Sequence, residues 1–258
     1  AQRQSSAKQA LRAGLFVLAM AMVVGGIIGP RWGVYMEKQR IHGRDIVVAL
    51  DVSRSMLARD IEPNRLERAK REIRQQLTER GAFAQTNRLG LLAFAGSTSL
   101  RVPLTTDAVA FRTKLEQIEV GDAPQGGTAI SEAIRASVDL FAKSPPDAER
   151  IILLFTDGED HEGGPREAAR EAWEDHGIRV FTVAVGDPSS TVGAQVPQGP
   201  GSHRPLLHDG QIVFSKLNVE ALREIARAGE GDYLPVKELF RAVNKISAMK
   251  KTELSAEE

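Results

Sequence analysis

The sequence predicts an α/β fold of the doubly wound kind, with a mostly parallel central sheet, helices on both faces, and a transmembrane helix in front. Three observations carry that prediction. Residues 45–51, 88–95, 150–157 and 178–186 are near-continuous apolar runs, the pattern of strands buried on both faces. Helical patterns fall between them, and that alternation calls for a sheet covered by helices. Residues 13–30 contain no charge and are flanked by Arg12 and Arg31.

Each element can be justified in order. Spanning a bilayer takes about 20 apolar residues, with a lower limit near 17. Residues 13–30 meet that limit, and Trp32 and Tyr35 follow as interfacial anchors would. A signal peptide or a buried core helix is the alternative; the run into Pro30-Arg31-Trp32 offers no small-residue cleavage site. Residues 1–12 are a polar lead, and 31–44 a linker. Gly25, Gly26 and Gly29 would let another transmembrane helix approach. The positive-inside count is nearly balanced across the span and leaves orientation open.

The run DIVVALD ends in a polar loop, and PNRLERAKREIRQQLTER (63–80) reads as a helix with Asn64 and Glu67 at capping-box spacing. After the strand 88–95, TSLRVPL (98–104) suggests an edge strand because Pro103 cannot donate to a ladder. Thr106 is the expected cap of a helix at 107–118, and GDAPQGGT leads into a helix at 129–143. The strand 150–157 is followed by a loop, a helix opening at Pro165, the strand 178–186, a helix at 218–228, a short strand at 232–234 and a helix at 237–250. Residues 187–216 are rich in Gly, Pro and Ser. They read as a surface excursion with a small hairpin at His208-Asp209-Gly210. The domain is expected at 45–250 and a frayed tail at 251–258.

Composition narrows the function classes. The 258 residues carry 34 basic and 34 acidic groups, so there is no net field to hold nucleic acid, and none is expected as a partner. Cysteine is absent, which excludes thiol catalysis and iron–sulfur ligation, and five scattered histidines argue against a histidine-built zinc site.

In open α/β sheets ligands bind beyond the carboxyl ends of the strands. Three polar clusters fall there: DVSRS with Asp51, Ser53 and Ser55, GGT with Thr128, and TDGED with Asp157. Each has an ordinary reading alone. Either serine suits a cap or turn, Thr128 an N-cap, and Asp157-Gly158 a turn. Together they form a set of hard oxygen donors suited to Mg²⁺, with Mn²⁺ or Ca²⁺ as alternatives. Arg54, Met56, Leu57, Ser97, Thr98, Glu159, Asp160 and His161 are the expected rim. Met56 and Leu57 either face a partner or pack inward.

At these residues the chain resembles the von Willebrand factor A (VWA) family and its metal-ion-dependent adhesion site. DIVVALDVSRSMLARD carries the D-x-S-x-S motif, and QGGTAI and LLFTDGED match the remaining ligand positions. PNRLERAKREI, RLGLLAFAGSTSLRVPLTTD and SKLNVEALREIARAGEGDYL are similar to bacterial BatA/BatB aerotolerance-type membrane proteins. The resemblance implies a VWA/Rossmann-like fold and a metal held by Asp51, Ser53, Ser55, Thr128 and Asp157. It implies a protein partner that offers Asp or Glu to the metal, a possible association with a MoxR-type AAA ATPase, and contacts to other membrane proteins through the transmembrane helix. It also implies residence in the bacterial inner membrane. Members commonly carry another transmembrane helix after the domain, and nothing beyond Lys237 is apolar enough for one.

No Walker A pattern, Gly-x-Ser-x-Gly or His-Glu-x-x-His motif occurs, so no catalytic residue is expected. The expected function is a membrane-anchored, divalent-metal-dependent protein-binding module. A Mg²⁺-dependent hydrolase of phosphate esters and a purely structural membrane protein are the alternatives.

Overall fold

The computed structural model describes residues 2–28, 43–79, 83–123, 127–146, 148–160 and 163–248. The chain forms two units, Ala1–Arg40 and Ile41–Glu258. The first contains helix α1 (Gln2–Ile28). It corrects the expected transmembrane helix: among the described residues, no helix is long and apolar enough to cross a membrane. The reason lies in where the polar residues fall. Arg3, Lys8 and Arg12 sit in the first half of α1, so its uncharged part runs only over 13–28. Among the described residues, that stretch is shorter than the roughly 17–20 residues needed to cross hydrocarbon. Gly29, Pro30 and the expected anchors Trp32 and Tyr35 lie outside the described residues.

The second unit is built on six strands. These are β1 (Asp45–Asp51), β2 (Arg88–Phe94), β3 (Thr98–Thr105), β4 (Arg150–Thr156), β5 (Ile178–Ala184) and β10 (Tyr233–Pro235). Their order is β10-β5-β4-β1-β2-β3, with every pairing parallel except β2–β3. β3 is the antiparallel edge, where Pro103 is tolerated.

Two helical layers cover the sheet because alternate residues of each buried strand point to opposite faces. Ile46, Val48 and Leu50 share one apolar cluster with residues of α2 (Arg65–Ile73), α4 (Ala108–Glu116) and α8 (Leu239–Ala248). Val47, Ala49, Ile152 and Leu154 share the other with α5 (Ile130–Leu140), α6 (Pro165–Glu174) and α7 (Val219–Ala228). A short helix, α3 (Phe83–Thr86), precedes β2.

Local signals explain the starts of three helices. Asn64 accepts the Glu67 amide at 2.8 Å as the spacing predicts. Pro165 occupies the first turn of α6, where its missing N–H has no partner to lose. The cap of α4 is Asp107, not the expected Thr106: its Oδ1 accepts the amides of Val109 and Ala110, both at 2.9 Å. A carboxylate also suits the helix dipole better than a hydroxyl.

Residues 187–216 carry two small antiparallel pairs, β6 (Ala194–Gln195) with β9 (Phe214–Ser215) and β7 (Leu207–His208) with β8 (Gln211–Ile212). Asp209 and Gly210 both take positive φ, 49° and 77°, the backbone that a two-residue hairpin turn of this twist requires.

Candidate functional site

The sheet places the site. From β1 the chain builds outward to β2 and β3, then returns to add β4 on the opposite side. The carboxyl ends of β1 and β4 therefore flank the switch point where this class of sheet opens a crevice. Leu50 pairs with Phe155 in parallel register, which sets Asp51 beside Thr156 and puts Asp157 one residue beyond.

Ser53, Ser55 and Thr128 line one open cavity of about 570 Å³ above this point. The serine hydroxyls are 2.9 Å apart, and neither is spent on capping: the short 3₁₀ turn Arg54–Leu57 has no side-chain cap bond from Ser53. Thr128 is not the cap of α5 either. That place is held by Ala129, while Asp160 reaches across to accept the Ile130 amide at 3.1 Å. Gly127, at φ 103°, brings Thr128 to the cavity, and open space surrounds the position its Cβ would take.

Asp51 and Asp157 lie behind the hydroxyls, both fully buried. Asp51 accepts the Ser53 amide at 2.8 Å and the Thr156 hydroxyl at 2.7 Å. Asp157 accepts the Glu159 amide at 3.1 Å, the Ser215 hydroxyl at 3.2 Å and one guanidinium nitrogen of Arg65 at 2.8 Å. Burial, and then the neighbouring Asp157 charge, push the Asp51 carboxyl up to about 7 against hydrogen bonds from Ser53 and Thr156 that pull it down. Burial and Asp157 likewise raise Glu159, which accepts the Lys216 amide at 2.8 Å.

The rim is smaller than the sequence reading allows. Met56 and Leu57 are buried and pack inward. Arg54 is exposed and lines the cavity. His161 and Glu162 lie outside the described residues.

Sequence reasoning missed Arg65, Asp60 and Ser215. Arg65 is fully buried, and besides Asp157 it holds both oxygens of Asp60, at 3.0 and 2.8 Å, and the Ser215 hydroxyl at 2.5 Å. One cue was present. A cation at the first helical residue opposes the helix dipole, so an arginine there needs a buried anion to justify it.

The expected metal dependence is corrected here. Among the described residues, no group of three or more His, Asp or Glu side chains could hold a metal ion. The physical reason is visible in the carboxylates: protein donors already serve both, and Arg65 supplies Asp157 with a positive charge.

The comparisons with known proteins agree with this architecture. A family model, the von Willebrand factor type A domain, matches residues 46–159. An aerotolerance-related membrane protein of Bacteroides fragilis is 34% identical with a TM-score of 0.71, over 79% of this chain and 98% of that one. BatB of Bacteroides thetaiotaomicron is also 34% identical, with a TM-score of 0.70, over 80% and 99%. A UPF0353 protein of Mycobacterium ulcerans is 30% identical over 73% of this chain and 57% of its own length, so the chain spans little more than half of that curated relative.

The site and sheet thus define a VWA-type domain. The chain belongs to the VWA family and is homologous to the bacterial BatA/BatB-type proteins. That homology supports a non-enzymatic role, and the family fold suggests a metal-ion-dependent adhesion site in general terms. The expected inner-membrane location and membrane partners engaged through a spanning helix are corrected with the helix itself, since none of the described helices is long and apolar enough.

Proposed function

We propose that this chain is a non-enzymatic protein-binding module whose face at the carboxyl ends of β1 and β4 receives a partner offering an Asp or Glu side chain. One observation carries the reading: Ser53, Ser55 and Thr128 line a single open cavity with the exposed cation Arg54. Hydroxyls can donate to a carboxylate, and an ionised acceptor makes such bonds shorter and stronger. Arg54 adds charge attraction at the edge.

The proposed site is Asp51, Ser53, Ser55, Thr128 and Asp157, with the two aspartates positioning the loop and the three hydroxyls facing the partner. Partner recognition itself is proposed for the face as a whole.

The test is a selection of displayed random peptides on the full chain and on a Ser53→Ala/Ser55→Ala/Thr128→Ala variant of equal thermal stability. The native chain should enrich peptides containing Asp or Glu, and the variant should lose that enrichment. Equal enrichment on both, or none on the native chain, refutes the reading.

A further inference from the structure

The cavity has an apolar lining that the hydroxyls do not explain. Val196, Leu206 and Val213, all from the 187–216 excursion, line the same cavity. Their backbones close a ring of three hydrogen bonds: Val196 N–H donates to Val213 at 3.0 Å, Val213 to Leu206 at 2.9 Å, and Leu206 to Val196 at 2.7 Å. An apolar wall braced in this way keeps its shape without a ligand, so little ordering opposes binding. Leu206 and Val213 remain only partly buried, and the cavity they line stays open.

The hairpin's two-residue alternation is the second observation. Leu206 and Val213 line the cavity, whereas their neighbours Leu207 and Ile212 are exposed, at 58% and 42%. A hairpin that only covered the domain would bury the apolar side chains it turns inward. Here the inward pair lines unfilled space beside polar groups. The excursion is also fastened to the site: Arg65 binds Ser215, Asp187 donates its amide to Asp60 at 2.9 Å, and Lys216 donates its amide to Glu159.

We infer that the excursion forms a specificity pocket for a large aliphatic side chain, so that the face takes a partner segment in which Leu, Ile or Met stands next to an Asp or Glu. This rests on the reading of the face as a carboxylate receiver. Charge complementarity selects that occupant: the hydroxyls and Arg54 meet the acid, and the braced apolar residues of the same cavity meet the aliphatic group beside it. A volume of about 570 Å³ holds both side chains, since pockets of roughly 300–1,000 Å³ enclose whole small molecules.

The experiment is a peptide-display selection on the full chain, read for the residues flanking the selected acid, followed by affinity measurement on synthetic copies of the strongest peptide. Enrichment of aliphatic residues beside the acid is expected. Changing that aliphatic residue to Ser should weaken binding about tenfold or more, the scale of losing two or three buried methylene groups. In the chain, Leu206→Ser/Val213→Ser should abolish the aliphatic preference and keep the acidic one, while Leu207→Ser should change neither. Acidic enrichment without any flanking preference overturns the pocket and leaves the carboxylate reading standing. Absence of acidic enrichment overturns both. Self-association of the native chain that Val213→Ser abolishes also overturns the inference, because the occupant would then be a second copy.

Discussion

Arg65 and Asp157 face each other at 2.8 Å with both side chains fully withdrawn from solvent. This pair joins the first turn of α2 to the end of β4, and through Ser215 to the last residues of the excursion. It also changes what Asp157 is. The residue is a structural counter-ion as much as a member of the proposed site.

Arg65→Met should therefore destabilise the domain strongly. Removing one partner of a buried ion pair leaves a charge without compensation, a loss of about 3–5 kcal/mol. Urea unfolding monitored by circular dichroism measures it, and Asp157→Ala should cost less, because Arg65 still holds both oxygens of Asp60. A loss under about 1 kcal/mol in both variants would show that the pair is not holding the domain together.

Stability should fall as pH rises through neutrality. The folded Asp51 carboxyl titrates near 7 against 3.8 for the free group, chiefly because burial disfavours its charge. The folded state thus holds the proton more tightly. Its contribution is fully present below about 4 and lost as pH climbs through 7. Urea midpoints at pH 5 and pH 8 should differ in that sense, and Asp51→Asn should flatten the difference. Equal midpoints in the native chain would contradict the assignment.

Asp60 should act in the opposite direction and in a different window. Burial raises its carboxyl, but Arg65 and the Asp187 amide outweigh that and leave it below 3.8. Its contribution is present above that value and is lost as pH falls through the depressed folded value. Asp60→Asn should weaken the domain at pH 7 and reduce the steepness of acid unfolding, measured by tryptophan fluorescence during acid titration.

Gly158→Ala should be costly and Gly127→Ala less so. A Cβ on Gly158 would sit 2.9 Å from the Asn218 carbonyl oxygen and from Leu222 Cγ, with φ at 78°. Crowding and backbone strain then act together, each on the order of 1–3 kcal/mol. Gly127 has φ at 103° but open space around it, so only the backbone strain applies. Thermal unfolding of the two variants ranks them, and a reversed order would sink this account.

Asn64→Ala should cost about 1 kcal/mol by exposing the Glu67 amide of α2. Asn64→Asp should retain most of that stability, because a carboxylate also accepts from the helix N-terminus. The urea midpoints of both variants provide the comparison.

Much of this protein was legible residue by residue. Buried strands announce themselves as unbroken apolar runs, so β1, β2, β4 and β5 fall within a residue or two of their expected limits. Asp209-Gly210 announces a turn because few residues tolerate two successive positive φ values. The polar residues at the strand ends were visible for the same reason, since nothing apolar follows the runs. Less legible was the cap of α4, where Thr105, Thr106 and Asp107 offer adjacent oxygens and only geometry chooses the carboxylate.

The one-dimensional pattern determined the strand–helix alternation and the position of the three hydroxyls, because both follow from local burial period and from where apolar runs stop. It could not determine what neutralises Asp157, or that the excursion brings Leu206 and Val213 into one cavity with those hydroxyls. Such features join residues far apart in sequence: Arg65 meets Asp157 across 92 positions. Their energy depends on burial and on the partner's direction, and neither quantity exists until the chain has packed.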